Sequence, residues 1–286
     1  RVESDGNANM LFVDGGTDKV GIGTSAFVDT SKVQIEGAKA LTSGILQGQL
    51  NISDSTAVAT GAGGGISFSG NYNGTSKTTF GSIEGSKDNG TSGHYGASLV
   101  FKTRSNGGAN AENMRIDSSG TLLVGKTSDT FATVGTSIFD HGEVQVTRAG
   151  SVPLYLRRNT NSGTILEFRK DATAVGTISV DSDSTAYNTS SDYRLKENVD
   201  YTWDATTRLK QLKPARFNFI ADDTNTLVDG FIAHEVSSIV PEAITGAKDA
   251  VDADNNPEYQ GIDQSKLVPL LVKTIQELEA RITALE

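Results

Sequence analysis

Glycine divides this chain. Of the 31 glycines in its 286 residues, all but Gly230, Gly246 and Gly261 precede Ser191, whereas four of the five prolines (Pro214, Pro241, Pro257 and Pro269) follow it. A composition step that sharp marks a domain boundary. The length would allow one large or two or three ordinary domains, with chain enough for a sizeable core, and the step argues for more than one. A net charge of −10 and a pI near 4.8 leave no basic surplus to displace counterions, so nucleic acid is not an expected partner. The absence of cysteine excludes disulfides and thiolate metal sites, and stability must come from packing or oligomerisation. No long apolar run and no signal-peptide pattern occurs, so neither membrane insertion nor an export tag is expected. The chain opens on Arg1 rather than Met, as a fragment of a longer polypeptide would.

Along the first part, residues 10–25 hold two short apolar runs around Gly15-Gly16, a hairpin signal. Residues 114–128 repeat the order of apolar residues, Asp, Gly, Val-Gly and Thr-Ser. The copies lie about a hundred residues apart, too far for a solenoid period, and read as one connector used twice. Short strands are expected at 66–69, 79–84, 98–104, 144–147, 154–158, 164–170 and 175–180, between turn-rich stretches such as 71–74, 87–90 and 105–108. The run Gly61-Ala62-Gly63-Gly64-Gly65 is read as a turn, because no Lys-Ser or Lys-Thr follows at the offset a phosphate loop needs. Strands this short bury little in one chain. Three chains wound about a common axis would bury the apolar face of each and hide the sheet edges, so residues 1–186 are read as an interwoven β-rich trimer.

From about residue 187 the pattern becomes α+β. Asp204 is expected to cap a helix carrying Leu209 and Leu212 that stops near Pro214, followed by a strand over 215–220 and a short helix from Phe231 to Val240. At the end, Val268, Leu271, Ile275, Leu278, Ile282 and Leu285 are spaced 3, 4, 3, 4 and 3, the heptad seam of a parallel coiled coil over 264–286. Isoleucine at a and leucine at d by itself favours two strands, and fewer than three heptads do not fix the number.

Ser191 and Lys196 stand at the boundary, five residues apart. A serine hydroxyl needs a base within hydrogen-bond reach to become a nucleophile, and a desolvated lysine can serve. Attack by Ser191 on its own carbonyl would require a four-membered ring, so the target in cis is the Ser190 carbonyl, or else a neighbouring chain. His94 and His141 lie far apart in polar loops, so no metal site is expected, and Pro257 occupies the glycine position of a calcium loop in the 252–257 stretch, which reads as a hairpin loop.

Ser191-Asp192, Arg194-Leu195-Lys196-Glu197-Asn198, the later block Gly230 to Val236 with Pro241-Glu242-Ala243, and a third block from Gln260 to Asp263 and Leu267 to Leu271 occur in order. Together, over about a third of the chain, they resemble the C-terminal intramolecular chaperone and self-cleaving peptidase family of phage tailspikes and tail fibres, including endosialidase tailspikes. The resemblance implies a chaperone domain that trimerises the fibre, guides its folding and is released by a Ser191–Lys196 dyad. It places the cut beside Ser191, with Ser190, Ser191 and Asp192 as the junction and the broken bond left open. It implies a supporting role for His234, and for Arg194 and Asn198 either oxyanion binding or tying of the junction. It also implies trimerisation along Leu271, Ile275, Leu278, Ile282 and Leu285.

The expected organisation is mostly β: connectors at 1–30 and 111–130, β-rich modules at 31–110 and 131–186, and an α+β chaperone domain at 187–286 ending in the coiled coil. The expected function is the distal part of a homotrimeric phage tail fibre, made in the host cytoplasm and carried on the virion. Its partners are a host surface receptor, expected to be a glycan, and upstream fibre or baseplate proteins; no cofactor is expected. Any enzyme activity would be a single self-cleavage. Rival readings are a polysaccharide-degrading tailspike, which would need two carboxylates across a sugar, and a structural fibre that keeps its chaperone as the tip.

Overall fold

The computed structural model describes residues 2–4, 7–16, 19–22, 33–35, 41–42, 45–46 and 50–286. Thr17, Asp18 and Gly23 to Ser25 of the first connector lie outside the described residues. The chain forms two compact units, residues 1–167 with 177–187 and residues 168–176 with 188–286. It is mostly β, with its longest helix at the C-terminal end. Among the described residues no helix is long and apolar enough to cross a membrane.

The first unit opens with a sheet of β1 (Val2–Ser4), β2 (Asn7–Asp14), β3 (Lys19–Ile22) and β4 (Val33–Ile35) in that order, followed by the pair β5 (Leu41–Thr42) and β6 (Ile45–Leu46). Strands β2 and β3 make the expected hairpin, with Phe12 opposite Gly21 and Val13 opposite Val20. A seven-stranded antiparallel meander follows: β7 (Gly65–Asn73), β8 (Ser76–Lys87), β9 (Ala97–Arg104), β10 (Asn110–Ile116), β11 (Leu122–Val124), β12 (Gly135–Ile138) and β13 (Val144–Thr147). The second copy of the repeat is the β10–β11 hairpin inside this sheet. Both copies start their turn on an aspartate: Asp14 Oδ1 accepts from the Gly16 N–H at 2.9 Å, and Asp117 Oδ1 accepts from the N–H groups of Ser119 and Thr121 at 3.0 and 2.9 Å. These Asx contacts tie each corner through the aspartate side chain.

The two faces of the meander differ. Leu99, Ile116, Leu122, Ile138 and Val144 stand directly opposite one another across five consecutive strands and form one apolar row. Leu99, Ile116, Ile138 and Val144 are 42, 39, 40 and 58% exposed in the single chain. The next residues along, Val100, Leu123 and Ser137, point the other way and are buried. That covered face also carries the ion pairs Glu84–Lys102 and Glu112–Arg115.

The third sheet consists of β14 (Gly163–Lys170), β15 (Thr173–Val180) and β16 (Thr185–Thr189). The strand expected at 154–158 does not form. Leu154, Tyr155 and Leu156 are 60, 73 and 46% exposed and belong to no ladder. Apolar and aromatic residues favour an extended chain, but a strand exists only where a neighbour completes its hydrogen bonds.

The second unit is built from α1 (Ala205–Leu209), β17 (Ala215–Phe217), β18 (Val228–Gly230), α2 (Ala233–Val236), β19 (Ile244–Thr245), β20 (Gly261–Ile262) and α3 (Val268–Thr283). As expected, Asp204 caps α1, accepting from the Thr207 N–H at 3.0 Å. Strand β17 stops at Phe217, short of Ile220, because its partner β18 offers only three residues. The core is Ala205, Val236, Val240, Ala243, Leu267 and Leu270, with Trp203, Leu209, Leu212 and Phe231 packed around it. Helix α3 is fastened to α1 by Glu277, whose carboxylate accepts from the N–H groups of Ala205 and Thr206 at 3.0 and 2.8 Å and from the Thr206 hydroxyl at 2.6 Å. Lys273 adds a bond to the Tyr201 carbonyl at 2.9 Å.

Leu270 is 2% exposed, so Leu270→Ala should destabilise this unit by about 2–5 kcal/mol in chemical unfolding. The hydrogen bonds from Ala205 and Thr206 hold the Glu277 carboxyl below its ordinary value of 4.5. A lowered folded-state value means that the stabilisation is complete above about 4.5 and is lost as pH falls through the folded value. Glu277→Gln should therefore lower the unfolding midpoint at pH 7, and its difference from wild type should shrink as the pH is taken below 4.5.

Candidate functional site

Strand β16 ends at Thr189, and the next residue is pinned to β15: the Ser190 N–H donates to the Val175 carbonyl at 3.4 Å and its hydroxyl to the Ala174 carbonyl at 3.5 Å. Beyond it the chain turns at Asp192, the cap of a 3-10 turn over Tyr193–Leu195. The Asp192 carboxylate accepts from the Arg194 N–H at 2.9 Å and takes both sides of the Arg194 guanidinium fork at 2.9 and 2.8 Å. These bonds from Arg194 hold the Asp192 carboxyl below the usual carboxylate range and the guanidinium above its own. The junction is thus fixed on both sides, upstream by the sheet and downstream by the aspartate-led turn.

The turn folds Lys196 back onto the serine. Its Nζ donates to Ser191 Oγ at 2.7 Å, and both residues are exposed in the single chain. A lysine acts as base only as the free amine, the form favoured when it is withdrawn from water. The contact places an amine and a hydroxyl at the separation that a serine-lysine pair uses.

The other candidates are placed less centrally. The Arg194 guanidinium is engaged by Asp192, which ties it to the junction. Asn198 takes a positive φ of 53°, which turns the chain after Glu197. His234 is exposed on α2 with its carbonyl accepting from the Ser237 hydroxyl at 2.8 Å; among the described residues no hydrogen bond links its ring to Ser191 or Lys196. The seam residues Leu271, Ile275, Leu278, Ile282 and Leu285 are 46, 63, 43, 59 and 89% exposed, while Leu270 and Thr274 of the same helix face the core. The 252–257 stretch is a hairpin loop, closed by an Asp252 carboxylate that accepts from the Asp254 and Asn256 N–H groups at 2.9 Å each. The sequence gives no signal for Ser190 as an anchor, since its partners lie about fifteen residues upstream in a strand whose register is set by packing.

The second unit is a small α+β body that holds the serine-lysine contact and presents an outward apolar helix seam. Residues 191–245 match the family described as chaperone of endosialidase, a match that opens on Ser191 itself. The C-terminal part is therefore an intramolecular chaperone domain of the kind carried by phage tail proteins. No curated protein matches the chain.

Proposed function

We propose that this chain is the distal part of a homotrimeric phage tail fibre that attaches to the host surface, and that its chaperone domain clasps three copies, guides their folding and then cuts itself free. The observation that carries the reading is the 2.7 Å contact between Lys196 Nζ and Ser191 Oγ at the first residues of the chaperone match. In the cleavage, the Lys196 amine takes the Ser191 hydroxyl proton and Oγ adds to the Ser190 carbonyl carbon through a five-membered ring. The Ser190–Ser191 C–N bond then breaks as the Ser191 nitrogen takes the proton. Water hydrolyses the resulting ester, leaving a carboxylate on Ser190 and restoring the serine hydroxyl. Both groups are exposed in one chain, and in the proposed trimer neighbouring copies would cover them.

Two surfaces support the trimer. The α3 seam and the apolar row of the meander are both open in one chain, and a cyclic assembly covers the same patch on every copy. The limits 1–30, 31–110, 111–130 and 131–186 are proposed as fibre segments, the middle ones sharing the β7–β13 meander rather than forming separate modules, with upstream fibre or baseplate proteins at the near end.

On a denaturing gel, the wild type should yield fragments spanning residues 1–190 and 191–286, and Ser191→Ala and Lys196→Ala should each remain full length; one full-length band in all three contradicts the cleavage. In analytical ultracentrifugation, the uncut Ser191→Ala chain should sediment as three times its 30.1 kDa mass. Adding Ile275→Asp and Ile282→Asp should shift it to the single-chain mass.

A further inference from the structure

The first unit holds a groove of about 430 Å³ at the end of the meander where the β7–β8 and β9–β10 turns meet, lined by Tyr72, Phe80, Lys77, Arg104 and Asn106 among others. Its two aromatic side chains are there because the ladder slips twice. Between Phe68 and Ser69 the partner jumps from Gly81 to Thr79 and passes over Phe80; between Asn71 and Asn73 it moves from Lys77 to Ser76 and passes over Tyr72. A bulged residue is turned out of the pleat, and bulges are concentrated where a side chain must be re-aimed. Gly70 makes room for one of them: a Cβ there would lie 2.7 Å from the Phe80 ring.

The groove is also cationic in a chain of net charge −10. Arg104 is held in place by donating from Nε to the Gly108 carbonyl at 2.6 Å and from Nη1 to the Thr78 hydroxyl. Those bonds use two of its five N–H donors, and three remain. Among the described residues neither Arg104 nor Lys77 forms an ion pair with a carboxylate. A braced guanidinium, a second cation, an amide and two aromatic rings in one groove match a sugar ring stacked on its apolar face and bound by a charged substituent.

We propose that this groove binds an anionic sugar, carrying a carboxylate or a phosphate, of a bacterial surface glycan. The proposal rests on the host-attachment reading and assigns the receptor contact to Arg104, Lys77, Tyr72 and Phe80. Saturation-transfer NMR on the full-length Ser191→Ala chain, with glucuronate, glucose 6-phosphate and glucose as probes, tests it. Transfer to one or both anionic probes but not to glucose is expected, and which of the two responds identifies the charged group. Arg104→Gln should weaken binding at least about tenfold, and so should Lys77→Gln, a change that leaves the internal bonds of Arg104 in place. Equal transfer to all three probes, none to the anionic ones, or unchanged transfer in Lys77→Gln would overturn the proposal. Adsorption of the labelled chain to a panel of bacterial strains separates the two readings. If Lys77→Gln and Arg104→Gln adsorb like the parent, attachment stands and the groove is not its site. If the parent adsorbs to no strain, the attachment reading itself falls, whatever the sugars show.

Discussion

Apolar surface that one chain cannot cover is the constraint on which the rest of this structure turns. The meander places Leu99, Ile116, Leu122, Ile138 and Val144 in a continuous row across five strands, while its other face buries Val100, Leu123 and Ser137 and carries two ion pairs. Helix α3 behaves similarly, with Leu270 and Thr274 inward and its heptad seam outward. Each CH₂ withdrawn from water contributes about 0.8 kcal/mol, so repetition of these rows in three copies would outweigh much of the entropy of ordering short, glycine-rich strands. On this reading the β-rich part depends on association.

The junction follows from the same constraint. On the proposed reading, a chaperone that holds three copies together and then leaves requires a cut that is prepared locally and completed late. Preparation is visible in one chain: Ser190 is tied to β15, Asp192 organises the turn, and Lys196 reaches Ser191. Completion, on the same reading, falls to the neighbouring copies, because both residues of the pair are exposed in one chain. An apolar interface would then link folding to release without a separate signal.

Much of the fold was legible where the cause is local. Asp204 caps α1, Asp14 and Asp117 start matching turns, and the spacing of Ser191 and Lys196 survives as a hydrogen bond because a single 3-10 turn separates them. What stayed hidden depends on partners distant in sequence. Residues 154–158 have the apolar and aromatic residues of a strand but lack a ladder neighbour, Glu277 caps a helix 72 residues away, and the slips that expose Tyr72 and Phe80 depend on the register of β7 against β8. The heptad residues lie outward on α3, a property of the single chain, whereas what covers them is a property of the assembly.

The most direct measurement is the assembly state of residues 1–190 produced without the chaperone domain, followed by light scattering and heating in detergent. The account predicts single chains or aggregates with no heat-resistant oligomer, and recovery of a trimer when the full chain is made instead. Prompt formation of a soluble, heat-resistant trimer by residues 1–190 alone would contradict it.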